Sequence, residues 1–405
     1  MSKRIVIVGA GQAGFQVAAS LRQGGFDGRI ILLGKEPHPP YERPPLSKAY
    51  LTGEQAAERL HFRPLAFFAE RDITLETGAM ITGVDRAAHR LHLADGRVLA
   101  YDRLVLATGA GARRLDVPGT DLAGIHHLRT LADARTLAAA LRDGPRLVIV
   151  GAGYIGLEVA AAARAMGARV TIIEALDRAL RRTASAAIAD TLVARHIAAG
   201  VAFRFGTGVS AILGRNGRVA GVALADGAEL AADHVLIAAG AAPETALAEA
   251  AGIGNPAGIP VDAWGRTSDP DIFAAGDCTL YAHPLGCGPA RIESVQNAVD
   301  QAKAVAAALL GRDAPYLAVP WFWSDQYEHK LQIAGLIHPD DKTIARRDPD
   351  GGGLAVAHLR AGRLVALEAI DRPRDYVQAR KLIAAGVQPD PDRLADPAVA
   401  LKDLA

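Results

Sequence analysis

The stretch RIVIVGAGQAG, residues 4–14, decides the fold of this chain. Its first five residues are mostly apolar, which is typical of a parallel strand that is buried on both faces. Gly9, Gly11 and Gly14 follow, and the next run, FQVAASLRQ, is compatible with a helix. A second apolar run, RIILLG, comes next, with Glu36 just past it. This order of strand, glycine-rich turn, helix, strand and acid predicts a Rossmann-like unit that binds a dinucleotide.

The same pattern occurs a second time. Residues 146–156, RLVIVGAGYIG, contain Gly151, Gly153 and Gly156, and the strand RVTIIE ends at Glu174. One Gly-x-Gly-x-x-Gly is weak evidence, but two copies, each between a strand and a helix and followed by an acid, form a strong signal. Each copy is followed by strand-like runs with an Asp-Gly turn and by a buried strand that stops at Ala-x-Gly. We therefore predict two Rossmann-like units, each with an inserted β-ribbon.

The rest of the chain completes the first unit and adds a small domain. DIFAAGDCT predicts a further buried strand, and RIESVQNAVDQAKAVAAALLG predicts a helix. From Pro315 onward, strand-like runs and the helix-like DYVQARKLIAAG predict an α+β domain with an antiparallel meander, and residues 389–405 indicate a weakly ordered or helical tail. The predicted class is α/β. The predicted boundaries are 1–112 and 244–314 for the first unit, 113–243 for the second unit, and 315–405 for the C-terminal domain.

Composition and charge argue against several classes of protein. The net charge is +1 without a long run of one sign, which gives no support to nucleic-acid binding or to an extensive membrane footprint. Cys278 and Cys287 are the only cysteines, so the chain has no Cys-x-x-Cys pair for a metal or for redox chemistry. The strand pattern begins almost at once, without the apolar region of a signal peptide. We predict a cytoplasmic protein with no metal site, no nucleic acid and no membrane contact.

Two dinucleotide units imply two dinucleotides, and a tightly held flavin with a diffusible nicotinamide is the economical pairing. In the second copy the acid, Glu174, is followed by an alanine, which favours NADH over NADPH because a carboxylate repels a 2′-phosphate. Arg178, Arg181 and Arg182 lie close behind and could soften that preference. Glu158 falls in the first turn of the second glycine helix, where the helix dipole alone favours an acid, so a functional role stays open.

Several motifs together resemble one family. PYERPPLSKAYL, ATGA, GAGYIGLE, IFAAGDCT, ESVQNA and WFWSDQY resemble the FAD-dependent, NADH-linked ferredoxin reductases of the glutathione reductase structural class. The resemblance runs from Ile5 to about Ala384. It implies that the first unit binds FAD and the second NADH, and that electrons pass to a [2Fe–2S] ferredoxin that feeds a cytochrome P450 or a ring-hydroxylating dioxygenase.

The resemblance also implies roles for individual residues. The proline-rich loop PPYERPPLSK, residues 39–48, lies along the flavin, with Arg43 in contact with the cofactor and Lys48 beside the flavin ring; Lys48 and Glu158 are the predicted catalytic residues. Lys35 stands where relatives often have an acid, so Glu36 alone must bind the ribose. The other residues predicted on the FAD side are Gly9, Gly11, Ala13, Gly14, Ile81, Ala107, Thr108, Gly109, Arg129, Gly276, Asp277, Val295 and Trp323. Those predicted on the NAD side are Gly151, Gly153, Tyr154, Ile155, Gly156, Glu158, Glu174 and Gly240.

The route by which electrons leave is predicted from an absence in the sequence. Disulfide reductases of this structural class carry a cysteine pair after the first glycine turn, and residues 15–49 contain no cysteine. A flavin can release electrons singly, and the chain has no cysteine cluster for its own [2Fe–2S] centre, so that centre must belong to a partner. The predicted docking cations are Arg63, Arg372, Arg374, Arg380 and Lys381, unless these are scattered solvated charges. The alternatives are an NADH oxidase or monodehydroascorbate-type reductase with a small acceptor, and an NADH-sensing flavoprotein that acts as an interaction module.

Overall fold

The structure is a computed structural model that describes residues 3–348 and 351–404. The chain folds into two compact units. The first unit comprises Met1–Glu42, Leu60–Gly111 and Ala242–Trp321, and the second comprises Arg43–Arg59, Ala112–Ala241 and Phe322–Ala405. The domain boundaries predicted from the sequence, 1–112, 113–243, 244–314 and 315–405, differ from this division into two units and stay a prediction.

The secondary structure combines strand–helix alternations with longer runs of consecutive strands. The strands are β1 (Arg4–Val8), β2 (Arg29–Gly34), β3 (Ile73–Thr77), β4 (Ile81–Asp85), β5 (Arg90–Leu93), β6 (Val98–Ala100), β7 (Arg103–Leu106), β8 (Ala110–Ala112), β9 (Ile125–His126), β10 (Arg146–Val150), β11 (Arg169–Glu174), β12 (Ala202–Phe205), β13 (Val209–Arg215), β14 (Arg218–Leu224), β15 (Glu229–Ala231), β16 (His234–Ile237), β17 (Ala241–Pro243), β18 (Ile259–Val261), β19 (Ile272–Ala274), β20 (Thr279–Tyr281), β21 (Trp321–Gln326), β22 (His329–Gly335), β23 (Lys342–Arg347), β24 (Leu354–Arg360) and β25 (Arg363–Ile370). The helices are α1 (Gln12–Gln23), α2 (Leu65–Glu70), α3 (Leu131–Ala140), α4 (Tyr154–Ala165), α5 (Ala186–Ala198), α6 (Ala246–Ala250), α7 (Val295–Leu309), α8 (Pro373–Ala385) and α9 (Pro391–Ala395), with 3₁₀ turns at Pro44–Ser47, Ala57–Leu60 and Leu401–Leu404.

The first unit is built on a five-stranded parallel sheet with the order β19-β7-β1-β2-β3. Ile5 of β1 points to one face, where it shares an apolar cluster with Val17 of α1 and Val305 of α7. Val6, its neighbour, points to the other face and packs in a cluster with Leu91 of the ribbon β4-β5-β6. Both faces of β1 are therefore covered, which explains why its sequence is apolar without alternation.

The second unit repeats this architecture in a parallel sheet with the order β12-β11-β10-β16-β9. Ile149 of β10 packs in one cluster with Val159 of α4 and Leu192 of α5. Val148 faces the other way and packs with Val222 of the ribbon β13-β14-β15. The predicted α/β class, with two Rossmann-like units that each carry a ribbon, is confirmed.

The second unit also contains the C-terminal sheet, with the order β21-β22-β25-β24-β23. Strands β22, β25, β24 and β23 pair antiparallel, and α8 packs against β25 and β22. The tail is helical, since it contains α9 and the last 3₁₀ turn. Leu394 of α9 and Leu401 of the 3₁₀ turn are completely buried. Arg346 of β23 is itself buried and donates to the carbonyl oxygens of Leu394 and Val399, which fastens the tail to the sheet.

Among the helices in the described part of the chain, none has the length and apolarity that crossing a bilayer requires.

Candidate functional site

The first glycine-rich turn joins β1 to α1, and each of its three glycines meets a different steric demand. Gly9 has φ +111°, a conformation that favours glycine, and a Cβ there would lie 2.0 Å from the carbonyl oxygen of Ala107. A Cβ on Gly14 would lie 1.8 Å from the carbonyl oxygen of Gly9, so the helix packs closely on the turn. A Cβ on Gly11 would meet no atom within 4 Å. Gly11 therefore keeps open the space in front of the N-terminus of α1, where the first-turn amides can bind an anion.

The second glycine-rich turn, between β10 and α4, has the same geometry. Gly151 has φ +109°, and its Cβ would lie 2.4 Å from the carbonyl oxygen of Ala238. A Cβ on Gly156 would lie 2.2 Å from the carbonyl oxygen of Gly151. A Cβ on Gly153 would meet no atom within 4 Å. Both turns fit the diphosphate of a dinucleotide. Each combines the first-turn amides of a helix, which have no partner within the helix, with a glycine whose lack of a side chain leaves room for the phosphates.

The strand-end acids lie near these turns in different ways. Glu174 ends β11, and its Oε2 accepts the backbone N–H of Ala152 in the second glycine turn at 2.9 Å, while Oε1 accepts that of Leu176 at 3.0 Å. In the first unit, Glu36 accepts a hydrogen bond from the hydroxyl of Tyr41 at 2.6 Å. Lys35, beside it, is exposed and forms an ion pair with Glu244 at 3.7 Å.

Two of the three arginines that follow Glu174, Arg178 and Arg181, make contacts of their own, while Arg182 is exposed. Arg178 donates to the carbonyl oxygens of Ala179 and Ala184 at 3.1 and 2.9 Å, so its guanidinium caps its own loop. Arg181 is exposed and forms an ion pair with Asp177 at 3.3 Å. These contacts support the prediction that Glu174 is the residue that meets a ribose.

The other residues predicted for FAD fall into two groups. In the first unit, Ala107, Thr108 and Gly109 follow β7, and the hydroxyl of Thr108 donates to the carbonyl oxygen of Glu244 at 2.6 Å. Gly276, after β19, lies so close to α1 that its Cβ would be 3.1 Å from that of Ala13, and Asp277 follows it. Ile81 begins β4 as a buried residue, and Val295 begins α7 after the N-cap Ser294.

Arg43 and Arg129, by contrast, lie in the second unit together with Trp323, which is half-buried in β21. Arg43 Nη1 donates to the carbonyl oxygen of Arg129, just before the capping box that starts α3 at Thr130. The loop that carries Arg43 is therefore fastened to the segment that carries Arg129.

Lys48 and Glu158, the two predicted catalytic residues, form one ion pair. Lys48 Nζ lies 2.7 Å from Glu158 Oε2, and Glu158 is 4% exposed. The hydroxyl of Ser47 donates to the same oxygen at 2.5 Å, and that of Ser324 donates to Oε1 at 2.6 Å. The alternative for Glu158 was an acid favoured only by the helix dipole. The cation and the two hydroxyl donors that bind its carboxylate favour a specific role instead.

The sequence did not predict Ser47 or Ser324, although one signal was available. WFWSDQY was interpreted through its tryptophans, yet a strand alternates its faces, so Ser324 must point opposite to Trp323. In the structure Ser324 is fully buried and Trp323 is half-buried.

The remaining residues predicted for NAD surround the second glycine turn. Tyr154 packs against Phe322 with ring centroids 4.5 Å apart and the ring planes tilted by 42°, and its hydroxyl donates to the carbonyl oxygen of Thr183. Burial raises the pKa of Tyr154, so the phenol is neutral. Ile155 is 44% exposed, and Gly240, between β16 and β17, has φ +99°.

The predicted docking cations of the C-terminal domain differ in exposure. Arg374 and Lys381 are exposed on α8. Arg372 has a side chain that is 14% exposed and an ion pair with Asp375 at 2.8 Å, so it does not suit a rim position. Arg380 packs over the ring of Tyr376.

Comparison with known proteins gives full-length similarity. Residues 3–302 match the family described as Pyridine nucleotide-disulphide oxidoreductase, and residues 321–405 match Reductase C-terminal. The chain is 45% identical to rhodocoxin reductase of Rhodococcus erythropolis over 98% of its length and 93% of that protein. It is 42% identical to the anthranilate 1,2-dioxygenase system ferredoxin–NAD(+) reductase component of Burkholderia cepacia over 98% of each chain.

A solved structure is similar over the same extent. A chain of the covalent putidaredoxin reductase–putidaredoxin complex superposes with a TM-score of 0.96 at 38% identity, over 99% of this chain and 98% of that one. The resemblance inferred from the sequence motifs is confirmed.

Proposed function

We propose a function from one premise: this chain belongs to the pyridine nucleotide-disulphide oxidoreductase family. It is an NADH-dependent ferredoxin reductase, an oxidoreductase that passes electrons from NADH through FAD to a separate [2Fe–2S] ferredoxin. The ferredoxin in turn supplies a cytochrome P450 or a ring-hydroxylating dioxygenase. The names of the similar proteins, a rhodocoxin reductase, a dioxygenase-system reductase and a reductase bound to putidaredoxin, support this assignment.

The observation that carries the proposal is the presence of two equivalent diphosphate cradles in one chain. Gly11 and Gly153 each leave open space in front of a helix N-terminus, within a turn that is otherwise tightly packed. One cradle accounts for a bound FAD and the other for a diffusible NADH. When bound, FAD accepts two electrons as a hydride and releases them singly, as a one-electron iron–sulfur acceptor requires.

The residues of the chain bind and orient the two nucleotides. The amides of α1 and α4 bind the diphosphates, and Glu36 and Glu174 accept hydrogen bonds from the adenosine riboses. Lys48 supplies a cation beside the flavin ring, as the resemblance implies, and Glu158 holds that cation in place. Within the first unit, Asp277 and the other residues predicted there on the FAD side complete the cofactor contacts.

The preference for NADH follows from Glu174 and from the contacts of Arg178 behind it. A carboxylate at this point accepts both ribose hydroxyls and repels a 2′-phosphate. Arg178 is occupied by loop carbonyl oxygens, so it is poorly placed to bind that phosphate instead. NADH is therefore the proposed donor.

A dithiol route for the electrons has no support in this chain. Cys278 is fully buried and Cys287 is exposed, and both thiols are free. Free thiols suit a reducing compartment, and we assign the protein to the cytoplasm on that ground.

Cytochrome c reduction tests the proposal against its rivals. The holoprotein is given NADH and cytochrome c, with and without a [2Fe–2S] ferredoxin, while oxygen uptake is recorded in parallel. The proposal expects reduction to depend on ferredoxin. Rapid NADH-dependent oxygen uptake that ferredoxin does not redirect would favour an oxidase. Reduction of FAD without transfer to any acceptor would favour an NADH-sensing interaction module.

A further inference from the structure

The core-facing side of β21 is polar at two consecutive inward positions. Ser324 is 0% exposed and Gln326 is 1% exposed, whereas Trp323 and Asp325 between and beside them are half-buried. A buried hydroxyl and a buried amide are stable only if hydrogen bonds satisfy them. Their partners therefore show what this strand does beyond packing.

These partners form a continuous chain that ends on Glu158. Ser324 Oγ lies 2.6 Å from Glu158 Oε1, and Gln326 Nε2 lies 3.1 Å from Ser324 Oγ. Gln326 Oε1 lies 3.0 Å from Nε2 of His196 on α5, and Nδ1 of His196 lies 3.3 Å from the hydroxyl of Tyr327. Four side chains thus connect the Lys48–Glu158 pair to the turn between β21 and β22, all within the second unit.

The ion pair fixes the direction in which every proton of the chain points. Glu158, paired with Lys48, is an acceptor only, so Ser324 must donate its hydroxyl proton to it. Ser324 must then accept from the amide N–H of Gln326, which turns the amide oxygen towards His196. His196 must donate from Nε2, and its bare Nδ1 must accept from Tyr327.

The surroundings of His196 and Tyr327 agree with this assignment. His196 is 0% exposed, and burial lowers its pKa to about 4, so the imidazole is neutral and can be both donor and acceptor. Burial raises the pKa of Tyr327, so its phenol keeps the proton. Tyr327 has φ +54°, an unfavourable conformation for a bulky side chain, and Arg195 packs over its ring at 4.1 Å. The strained turn and the packed cation together hold the hydroxyl at His196.

We propose that Tyr327, His196, Gln326 and Ser324 are positioning residues that act as a one-directional chain of hydrogen-bond donors, holding the carboxylate of Glu158 fixed against Lys48. Hydrogen bonds that all run one way polarise one another, so a distant member influences the last bond. The consequence for electron transfer rests on the function proposed above, in which Lys48 supplies a cation beside the flavin.

The sharpest test replaces His196, which touches neither Lys48 nor Glu158. In His196→Gln the amide N–H can take the place of Nε2–H, whereas His196→Leu removes the donor. Ser324→Ala removes the last donor and provides a second variant if His196→Leu does not fold. Gln332→Glu, on the neighbouring strand β22, is a control with a new half-buried charge outside the chain.

Two measurements read the result. Stopped-flow reduction by NADH gives the limiting rate and the NADH concentration at half-saturation. Proton NMR of 15N-histidine-labelled protein detects the slowly exchanging Nε2–H of His196, assigned by its loss in His196→Gln. We expect His196→Leu and Ser324→Ala to lower the limiting rate about tenfold with half-saturation within about twofold, and His196→Gln and Gln332→Glu to stay within about twofold of the unmodified protein. The Nε2–H signal should disappear or move in Gln326→Leu.

The proposal is overturned if His196→Gln loses as much rate as His196→Leu, if Ser324→Ala keeps the full rate, or if His196 is protonated on Nδ1. These outcomes differ from failure of the proposed function. A protein that bound no FAD, or was not reduced by NADH, would remove the kinetic readout, and the NMR signal would still decide the direction of the chain.

Discussion

Lys48 Nζ lies 2.7 Å from Glu158 Oε2, although one residue belongs to the proline-rich loop and the other to the helix of the second glycine turn. The pair joins the loop that the family resemblance assigns to the flavin with the helix that it assigns to NADH. The carboxylate is 4% exposed, while the lysine side chain keeps 23% of its surface. The buried carboxylate of Glu158 therefore restricts the position of the partly exposed ammonium group of Lys48.

Glu158→Gln should weaken the placement of Lys48 while keeping the shape of the site. The variant removes the charge that attracts the ammonium group of Lys48. The new amide N–H₂ is also a donor, and it would face groups that already donate to this position, from Lys48, Ser47 and Ser324. We expect reduction of the flavin by NADH to slow at least about tenfold, equivalent to ~1.4 kcal/mol of transition-state stabilisation. The measurement is stopped-flow at saturating NADH, with Glu229→Gln, an exposed change in β15, as the control. An unchanged rate in Glu158→Gln would remove the ion pair from the mechanism.

Gly11→Ala and Gly153→Ala should separate the two cradles. A Cβ at either position meets no protein atom within 4 Å, so the free energy of unfolding of the apoprotein should change by less than about 0.5 kcal/mol. The methyl group would occupy the space for a diphosphate, and affinity should fall at least about tenfold. Gly11→Ala should lower FAD content at purification, and Gly153→Ala should raise the KM for NADH with FAD content unchanged. If both variants lost FAD equally, the assignment of one dinucleotide to each turn would be wrong.

The glycine turns were predictable because their information is local. The spacing of the glycines between a strand and a helix predicted both turns, and Glu174 followed from its place after β11. The surroundings of Glu158 were not predictable in the same way, since Ser47, Ser324 and His196 come from distant segments that only the tertiary fold brings together. Arg372 stays a predicted docking cation, but it forms an ion pair with Asp375, three residues on, and that spacing was visible in the sequence.

NADH should be preferred to NADPH by at least about tenfold in kcat/KM. A lost ribose contact or a clash of like charges at Glu174 is sufficient for this ratio, because a factor of ten corresponds to ~1.4 kcal/mol. Glu174→Ala should narrow the ratio, and Arg178→Gln should leave it unchanged, because that guanidinium is bound to loop carbonyl oxygens. Steady-state kinetics with both nucleotides gives the ratio, which is unaffected by any general loss of affinity in the alanine variant. Equal use of NADH and NADPH by the unmodified protein would contradict the role of Glu174.

Reduction of ferredoxin should slow as salt rises, while reduction of the flavin by NADH should hardly change. Ferredoxins of this kind are generally acidic, and exposed cations such as Arg374 and Lys381 raise association rates over a Debye length of ~8 Å at physiological salt. The double variant Arg374→Gln, Lys381→Gln should reduce the salt dependence of ferredoxin turnover. Arg215→Gln, Arg218→Gln, on the β13-β14 hairpin, is the matched control. Turnover that stays flat from low to high salt would indicate apolar docking.

The stability of the protein should fall as pH drops from 6.5 towards 4, and His196 should account for a measurable part of that fall. Its folded-state pKa is about 4, below the ~6.5 of an unfolded histidine, so between these values the unfolded chain binds a proton that the folded chain excludes. The contribution of neutral His196 to the free energy of unfolding is therefore fully present above pH 6.5. It is lost as the pH falls towards 4, and the loss is at most roughly 3 kcal/mol.

His196→Gln removes the titration while keeping a donor towards Gln326. Urea unfolding of the apoprotein at pH 7.5 and pH 5 should show a smaller loss of unfolding free energy in this variant than in the unmodified protein. His126, whose pKa burial also lowers to about 4, remains in both proteins and contributes equally to each, so the difference reports on His196 alone. Equal losses in the two proteins would mean that His196 does not hold its neutral form against protonation, and the direction assigned to the donor chain would lose its physical basis.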